Sequence, residues 1–295
     1  MSLSADTSAA MARHRERGRT FEAAGVRSFV YEVGEGEPVL LVHGVPASSF
    51  LYRKVADALA EKGLRAIAFD LPGLGFAERP VDFDYSWSGL GQFAVAAADA
   101  LGLDRFHLVI HDIGGPVGLE LAAADPTRIR SLTILNTMIA VDGFKKPWVM
   151  RPFGTPVVGE AWLAMLNRFS MVPLMWGVGV KNPHAFKATD VGVYARQLKL
   201  DDGGKAFLKI MRGFETTAEK QRRYVELLRG ADFPIEIVWG KDDPALSLGR
   251  FGADARRLMP GANFTAVSGR HFLQEEQPEA IAQRIAAAAA AARQQ

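Results

Sequence analysis

The stretch LVIHDIGGPVG, Leu108–Gly118, decides the fold of this 295-residue chain. It begins as an apolar strand, turns at Asp112 and continues as a helix. Gly114 and Gly115 allow the sharp turn and a close approach of helix to strand. This is the geometry of a nucleophile elbow, which usually carries serine. Taken alone, Asp112 is better explained as a helix N-cap, because aspartate is favoured there.

Outward from this stretch, short apolar runs alternate with helical segments. Near-continuous apolar strands between helices are typical of a mostly parallel sheet covered by helices on both faces. The predicted strands are RSFVYEV (27–33), PVLLVHG (38–44), LRAIAFD (64–70), FHLVIHD (106–112), IRSLTILN (129–136), PIEIVWG (234–240) and NFTAVSG (263–269).

The alternation is interrupted once. Residues 137–217 are rich in Trp, Met, Phe, Pro and Gly and carry no strand signal, which predicts a helical insertion. We therefore expect an α/β core formed by residues 21–136 and 218–295, with residues 1–20 as a polar N-terminal tail. The arginine-rich run from Arg13 to Arg19 is expected to be solvated.

Composition excludes several classes of function. The net charge of +2 is too small to predict binding to nucleic acid or to an anionic membrane. The chain has no cysteine, so disulfides, thiolate metal sites and cysteine nucleophiles are excluded. No apolar run reaches the roughly 18 residues of a membrane span, and the start lacks the apolar core of a secretory signal. We expect a cytoplasmic protein.

Ligands of open parallel sheets bind beyond the carboxyl ends of the strands. Asp112 ends one strand there, and as an aspartate it is ionised above about pH 4 without help from a base. Attack by Asp112 on an sp³ carbon that bears a leaving group would form an alkyl ester. Cleavage of that ester needs a general base, an acid that orients the base, and an oxyanion hole.

Candidates for all three parts follow other strands. His271, after the last strand, is the candidate base, and Asp243, after the preceding strand, is the candidate acid, with Asp242 as its rival. The order Asp112, Asp243, His271 is the nucleophile–acid–base order of α/β-hydrolases. The backbone N–H groups of Val45 and Ile113 are the candidate oxyanion hole.

The segments VLLVHGVPASSFLYRKV, AFDLPGLGFAERP, VIHDIGGPVG, LTILNT, VWGKDDPAL and GRHFLQEEQPEAI resemble the α/β-hydrolases related to haloalkane dehalogenases and epoxide hydrolases. The resemblance spans residues 21 to 286 and is weak in the insertion. It implies an α/β-hydrolase fold, a doubly wound sheet with a helical cap inserted after the sixth strand. It also implies Asp112, His271 and Asp243 as the catalytic residues and no cofactor or metal. Some relatives carry the acid where Asn136 stands, which this asparagine excludes.

The residues depart from what haloalkane dehalogenases show. Those enzymes usually place a tryptophan directly after the nucleophile to hold the departing halide, whereas this chain has Ile113. Val45 also offers no side-chain donor. A dehalogenase would therefore have to recruit Trp148, Trp162 or Trp176 from the insertion, where packing of the cap against the core explains them better.

Epoxide hydrolases protonate the leaving oxygen, normally with tyrosines of the cap. Tyr194 is the best candidate donor and His184 a possible second one, with core and surface positions as the alternatives. A few epoxide hydrolases also carry isoleucine after the nucleophile, as Ile113 does here. Further candidates for substrate binding are Trp148, His43 and Asn136.

We therefore expect a hydrolase that forms an ester on Asp112, with epoxide opening favoured over carbon–halogen cleavage. Its partner would be a small, mostly apolar molecule, with no nucleic acid and no membrane. We expect the protein to be a monomer or a homodimer. Two alternatives stay open: an enzyme that opens an ester or lactone with the same residues, and a non-catalytic binding protein on this fold.

Overall fold

A mostly parallel sheet of eight strands forms the centre of the computed structural model, which describes residues 3–294. The strand order is β1-β2-β4-β3-β5-β6-β7-β8; β1 pairs antiparallel with β2, β2 pairs antiparallel with β4, and the other neighbours are parallel. All seven predicted strands are present. The strands are β1 Gly18–Ala23, β2 Val26–Val33, β3 Glu37–Val42, β4 Leu64–Phe69, β5 Phe106–Asp112, β6 Ile129–Thr137, β7 Ile235–Gly240 and β8 Asn263–Val267.

Helices cover both faces of the sheet. Alternate residues of a strand point to opposite faces, so Val39 and Leu41 of β3 pack toward one layer and Leu40 and Val42 toward the other. The helices are α1 Leu3–Glu16, α2 Arg53–Ala60, α3 Trp87–Ala100, α4 Gly114–Ala124, α5 Val158–Met165, α6 Arg168–Leu174, α7 Ala188–Leu198, α8 Lys205–Arg212, α9 Ala218–Arg229, α10 Ala253–Leu258, α11 Leu273–Glu276 and α12 Pro278–Ala292. Helices α2 and α12 lie together on one face, and α3, α4 and α9 on the other. The sheet is thus buried from both sides, as the apolar strands indicated.

The structure differs from the expected polar tail. Residues 3–16 form α1, which packs against α7, and the following residues form β1 at the sheet edge. The Thr7 hydroxyl donates to the Thr189 carbonyl at 3.2 Å, and the buried ring of His14 bonds to Ser49 at 3.0 Å. Small and polar side chains, rather than an apolar stripe, make these contacts, so hydropathy did not signal them. Arg13 is exposed, as expected for the arginine-rich run.

The segment between β6 and α9 contains helices α5 to α8 and, among its described residues, no strand. We refer to residues 138–217 as the cap. It follows the sixth strand, and its apolar side chains join the same core cluster as α3 and α4. No helix within residues 3–294 is both long and apolar enough to cross a bilayer.

Candidate active site

Asp112 lies at a sharp turn between β5 and α4. Its φ of 53° is in the left-handed region, which a non-glycine residue adopts rarely and mainly where the surroundings require it. The Thr137 hydroxyl donates to the Asp112 carbonyl and supports the turn. A Cβ on Gly115 would lie 1.8 Å from Oγ1 of Thr137, so only glycine allows this approach. The local backbone is that of a nucleophile elbow.

The backbone N–H of Val45 donates to Oδ1 of Asp112 at 2.8 Å. The chain of β3 approaches so closely here that a Cβ on Gly44 would lie 2.3 Å from the same oxygen. One of the two predicted oxyanion donors therefore already contacts the carboxylate. Ile113 follows at the start of α4 and lines the same pocket, and its N–H as the second donor remains a prediction.

His271 stands between two carboxylates. Its Nδ1 bonds to Oδ2 of Asp243 at 2.9 Å, and its Nε2 lies 3.5 Å from Oδ2 of Asp112. All three residues are buried or nearly so. The structure therefore brings together the three residues that lie 28 or more positions apart in the sequence. The rival Asp242 instead pairs with Lys181 at 2.9 Å on the surface.

Asp243 is held from three directions. Oδ1 accepts the backbone N–H groups of Ala245 at 2.7 Å and Leu246 at 2.9 Å, and Oδ2 accepts Nδ2 of Asn136 at 2.6 Å. Asn136 also accepts the N–H of Gly240 at 2.9 Å through Oδ1. The structure therefore places Asn136 against the acid and not in the described pocket lining, where it was expected as a substrate ligand.

The three side chains of the site change one another's pKa values. Burial by itself would raise the pKa values of Asp112 and Asp243, but His271 outweighs it through hydrogen bonds and charge, and both pKa values are lowered. Burial would lower the pKa of His271, yet Asp243 and Asp112 together raise it to about 10. At neutral pH the resting site thus holds two carboxylates around an imidazolium.

This arrangement changes if Asp112 becomes an ester. Esterification removes one of the two carboxylate charges that raise the pKa of His271. The pKa of His271 would then fall toward its ordinary range, so that the imidazolium releases its Nε2 proton to solvent and the neutral ring can accept a proton from water. Formation of an ester on Asp112 would therefore make His271, the predicted base, able to take a proton from water, but only after this proton loss.

His111 is a part of the site that the sequence indicated only as structural. Its Nε2 donates to the backbone carbonyl of His271 at 2.9 Å. Burial lowers the pKa of His111 to about 4, so the ring is neutral and holds the loop by this hydrogen bond. His43, predicted as a substrate ligand, has a comparable role: its Nε2 accepts the Leu71 N–H at 3.0 Å, away from the described pocket lining.

A pocket with about 840 Å³ of empty space, including the part open to solvent, lies between the core and the cap. Asp112 and His271 form part of its wall. Lys146 is the one other charged side chain among its described lining residues, and the remainder is apolar. The apolar lining includes Met138, Phe144, Met150, Phe153, Met171, Met175, Leu198, Phe207, Met211, Phe214 and Phe272.

The candidate donors of the cap do not face this pocket. The Tyr194 hydroxyl is buried and donates to Glu275 at 3.1 Å. His184 is exposed, and Trp148 is 68% exposed. Neither Trp162 nor Trp176 is among the described lining residues, and the indole N–H of Trp176 donates to the Phe186 carbonyl at 2.8 Å.

Sequence reasoning did not single out Lys146. Its signal would have been its position at the start of the cap, next to a second lysine that is exposed.

In the described part of the chain, no group of three or more His, Cys, Asp or Glu side chains is arranged to hold a metal ion.

Residues 37–278 match the alpha/beta hydrolase fold family, and the chain belongs to that family. It is 29% identical over 268 residues to a haloalkane dehalogenase of Psychrobacter cryohalolentis, covering 85% of this chain and 82% of the relative. It is 28% identical over 275 residues to an uncharacterized hydrolase of Saccharomyces cerevisiae, covering 88% and 92%. The protein is therefore an enzyme, a hydrolase of this fold.

Solved structures agree with this assignment. The haloalkane dehalogenase DatA from Agrobacterium tumefaciens C58 superposes with a TM-score of 0.77 at 25% identity, covering 93% of this chain and 96% of that one. An epoxide hydrolase from Vigna radiata superposes with a TM-score of 0.72 at 25% identity, covering 91% and 95%. The chain thus lies in the branch that contains both kinds of enzyme.

Proposed function

We propose that this hydrolase displaces a leaving group from an sp³ carbon through a covalent ester on Asp112, which a water activated by His271 then cleaves. The observation that carries the proposal is the position of His271, bonded to Asp243 at 2.9 Å and 3.5 Å from Asp112. A carboxylate at the elbow, with its oxyanion donor in place, suits this two-step chemistry.

In the first step Oδ2 of Asp112 attacks the carbon, because Oδ1 is engaged by the Val45 N–H at 2.8 Å. The carbon–oxygen bond forms as the bond to the leaving group breaks, and the leaving group departs with the electron pair. Oδ1 becomes the ester carbonyl. The anion is available at neutral pH because the pKa of Asp112 is lowered.

In the second step water attacks the ester carbonyl and gives its proton to Nε2 of His271. The negative charge that develops on Oδ1 meets the Val45 N–H. Asp243, which is bonded to Nδ1 of His271, stabilises the imidazolium that results. Collapse breaks the bond between the carbonyl carbon and the alkyl oxygen, and that oxygen takes up the proton of the new hydroxyl group. The alcohol leaves, Asp112 is again a carboxylate and His271 is again an imidazolium.

The substrate we favour is an aliphatic halide, and epoxides take second place. Neither leaving group has its usual donor, since no tryptophan and no tyrosine is among the described lining residues. Bromide and chloride, however, leave as anions without a proton, whereas an epoxide oxygen needs an acid. The sequence suggested Tyr194 for that task, but its hydroxyl is bonded to Glu275 and no tyrosine is among the described lining residues. The haloalkane dehalogenase relatives support the same order. Ile113 after the nucleophile and the Vigna radiata relative keep epoxide opening as the second candidate.

A labelling experiment tests the mechanism. A single turnover of 1-bromohexane in H₂¹⁸O should give unlabelled alcohol and one ¹⁸O in the Asp112 side chain. The His271→Ala variant should release bromide once and accumulate an enzyme heavier by one hexyl group. Label found directly in the alcohol after one turnover, with none in Asp112, would contradict the ester.

The substrate order is tested separately. Wild-type enzyme is incubated with 1-bromohexane and with 1,2-epoxyhexane, and bromide and diol are assayed. Bromide release with little diol supports the halide. Diol formation without bromide release reverses the order. If neither compound is turned over and the His271→Ala variant forms no alkyl-enzyme with either, the ester- or lactone-opening alternative is left.

A further inference from the structure

Lys146 lies on the wall of the apolar pocket without an acidic partner. Its Nζ is 4.2 Å from the centroid of the Phe214 ring and 4.0 Å from the position that a Cβ on Gly154 would take. Among residues 3–294, no carboxylate lies within ion-pair distance of Nζ. The ammonium therefore faces an aromatic ring, a glycine and the pocket.

A cation in such a position is costly unless a partner compensates for the lost water. The contact with Phe214 compensates in part, as cation–π contacts do. Lys146 is half-buried, and this burial lowers its pKa below the ordinary value of 10.5. Lys145, its neighbour in sequence, is exposed and bears no such cost.

Lys146 is not the counter-ion of the nucleophile. The groups that lower the pKa of Asp112 are His271, His111 and the Val45 N–H. The pocket wall thus carries the charged pair Asp112 and His271 and, separately from it, the ammonium of Lys146. No acidic side chain among residues 3–294 pairs with that ammonium, so it is free to meet an anionic group of a molecule in the pocket.

We propose that Lys146 is an anion subsite that selects aliphatic substrates carrying a carboxylate at the end opposite to the reacting carbon. This proposal deepens the proposed function and rests on it for the reaction, but not for the binding of the carboxylate. The apolar side chains that line the pocket together with Lys146 and Asp112 would cover the methylene chain. The cap carries more Lys and Arg than Asp and Glu, which favours approach of an anion.

Binding tests the subsite without any turnover. Carboxylates from butanoate to octanoate and their neutral amides are titrated into wild-type enzyme and into the variants Lys146→Met, Lys146→Arg and Lys145→Met. Hydrogen bonds to charged groups are strong enough that loss of Lys146 should reduce the preference for carboxylate over amide by about tenfold or more. Lys146→Arg and Lys145→Met should retain it.

An unchanged preference in Lys146→Met would overturn the proposal. So would an equal loss in Lys145→Met, or the absence of measurable binding of every carboxylate to the wild type.

Kinetics separate the subsite from a role at the leaving group. With 6-bromohexanoate, Lys146→Met should raise KM by about tenfold and change kcat much less, because the ion pair is made in the ground state as well. An equal fall in kcat for 6-bromohexanoate and 1-bromohexane would place Lys146 at the leaving group and overturn the subsite. If carboxylate binding depends on Lys146 but no bromide is released from either compound, the subsite stands and the proposed reaction fails.

Discussion

The Tyr194 hydroxyl donates to Oε1 of Glu275 at 3.1 Å, and both side chains are buried. Arg53 bonds the same carboxylate through two nitrogens, at 2.6 and 2.9 Å, and reaches Asp190 at 2.9 Å. Because Tyr194 and Asp190 belong to α7 of the cap while Arg53 and Glu275 belong to the core, this cluster ties the two together. Its Glu275 lies four residues after His271 in the chain.

Replacing Tyr194 with Phe should therefore affect stability more than catalysis. Removal of a buried hydrogen bond to a charged group should cost about 1–3 kcal/mol, measured by denaturant unfolding. Loss of a general acid would instead reduce kcat by about 100-fold or more. Tyr224→Phe is the matched control, because Tyr224 donates to Glu120 at 2.7 Å in the core. A 100-fold loss of epoxide turnover confined to the Tyr194 variant would restore Tyr194 as the acid.

The role proposed for Asp243, to orient the ring of His271, should be transferable to a carboxylate at position 136. Asn136 and His271 both bond to Oδ2 of Asp243, at 2.6 and 2.9 Å, so the two side chains flank one oxygen. Asp243→Asn should slow hydrolysis of the ester by up to about 10⁴-fold, by analogy with hydrolase triads. Adding Asn136→Asp should recover about tenfold or more of that rate, measured by rapid-quench mass spectrometry of the alkyl-enzyme.

The exposed Asp242 provides the control, and Asp242→Asn should retain the wild-type rate. No recovery in the double variant would mean that position 136 cannot orient the ring of His271.

Stability should fall at alkaline pH because of His271. Its pKa in the folded protein is about 10, above the ordinary value of 6.5, so it contributes stability fully below pH 6.5 and loses it as pH rises to about 10. The loss is up to about 1.4 kcal/mol per pH unit in that window. Urea unfolding at pH 7 and pH 10 should show a steeper decline for wild type than for His271→Gln. Parallel declines would mean that the two carboxylates do not hold the proton.

Gly44 should tolerate no side chain. A Cβ there would lie 2.3 Å from Oδ1 of Asp112, so Gly44→Ala must displace the nucleophile or the β3 strand end. A displacement of about 1 Å can cost 10²-fold in rate, and we expect at least that loss in kcat. Gly249→Ala is the control, since its Cβ would meet no atom within 4 Å. Near-normal turnover of Gly44→Ala would show that Asp112 is not held as described.

The sequence by itself determined the seven central strands, the elbow at Asp112 and the strand ends that carry Asp243 and His271. These features are local: an apolar run makes a buried strand, glycines mark a sharp turn, and parallel strands bring their carboxyl ends to one edge. The position of the insertion follows from the same alternation, whereas the order of the strands in the sheet and the edge strand β1 came from the structure.

Only the tertiary structure decided what the pocket presents to a substrate. Whether Tyr194 faces Asp112 or Glu275 depends on how α7 is rotated and docked, because neighbouring helical residues point about 100° apart and a small rotation exchanges them. Lys146 lies outside the helices, and its position on the pocket wall depends on how the start of the cap packs against the core. Helix α1 has a polar sequence, and small side chains make its contact with α7. Such outcomes are set by packing between segments far apart in the chain, and no local pattern encodes that packing.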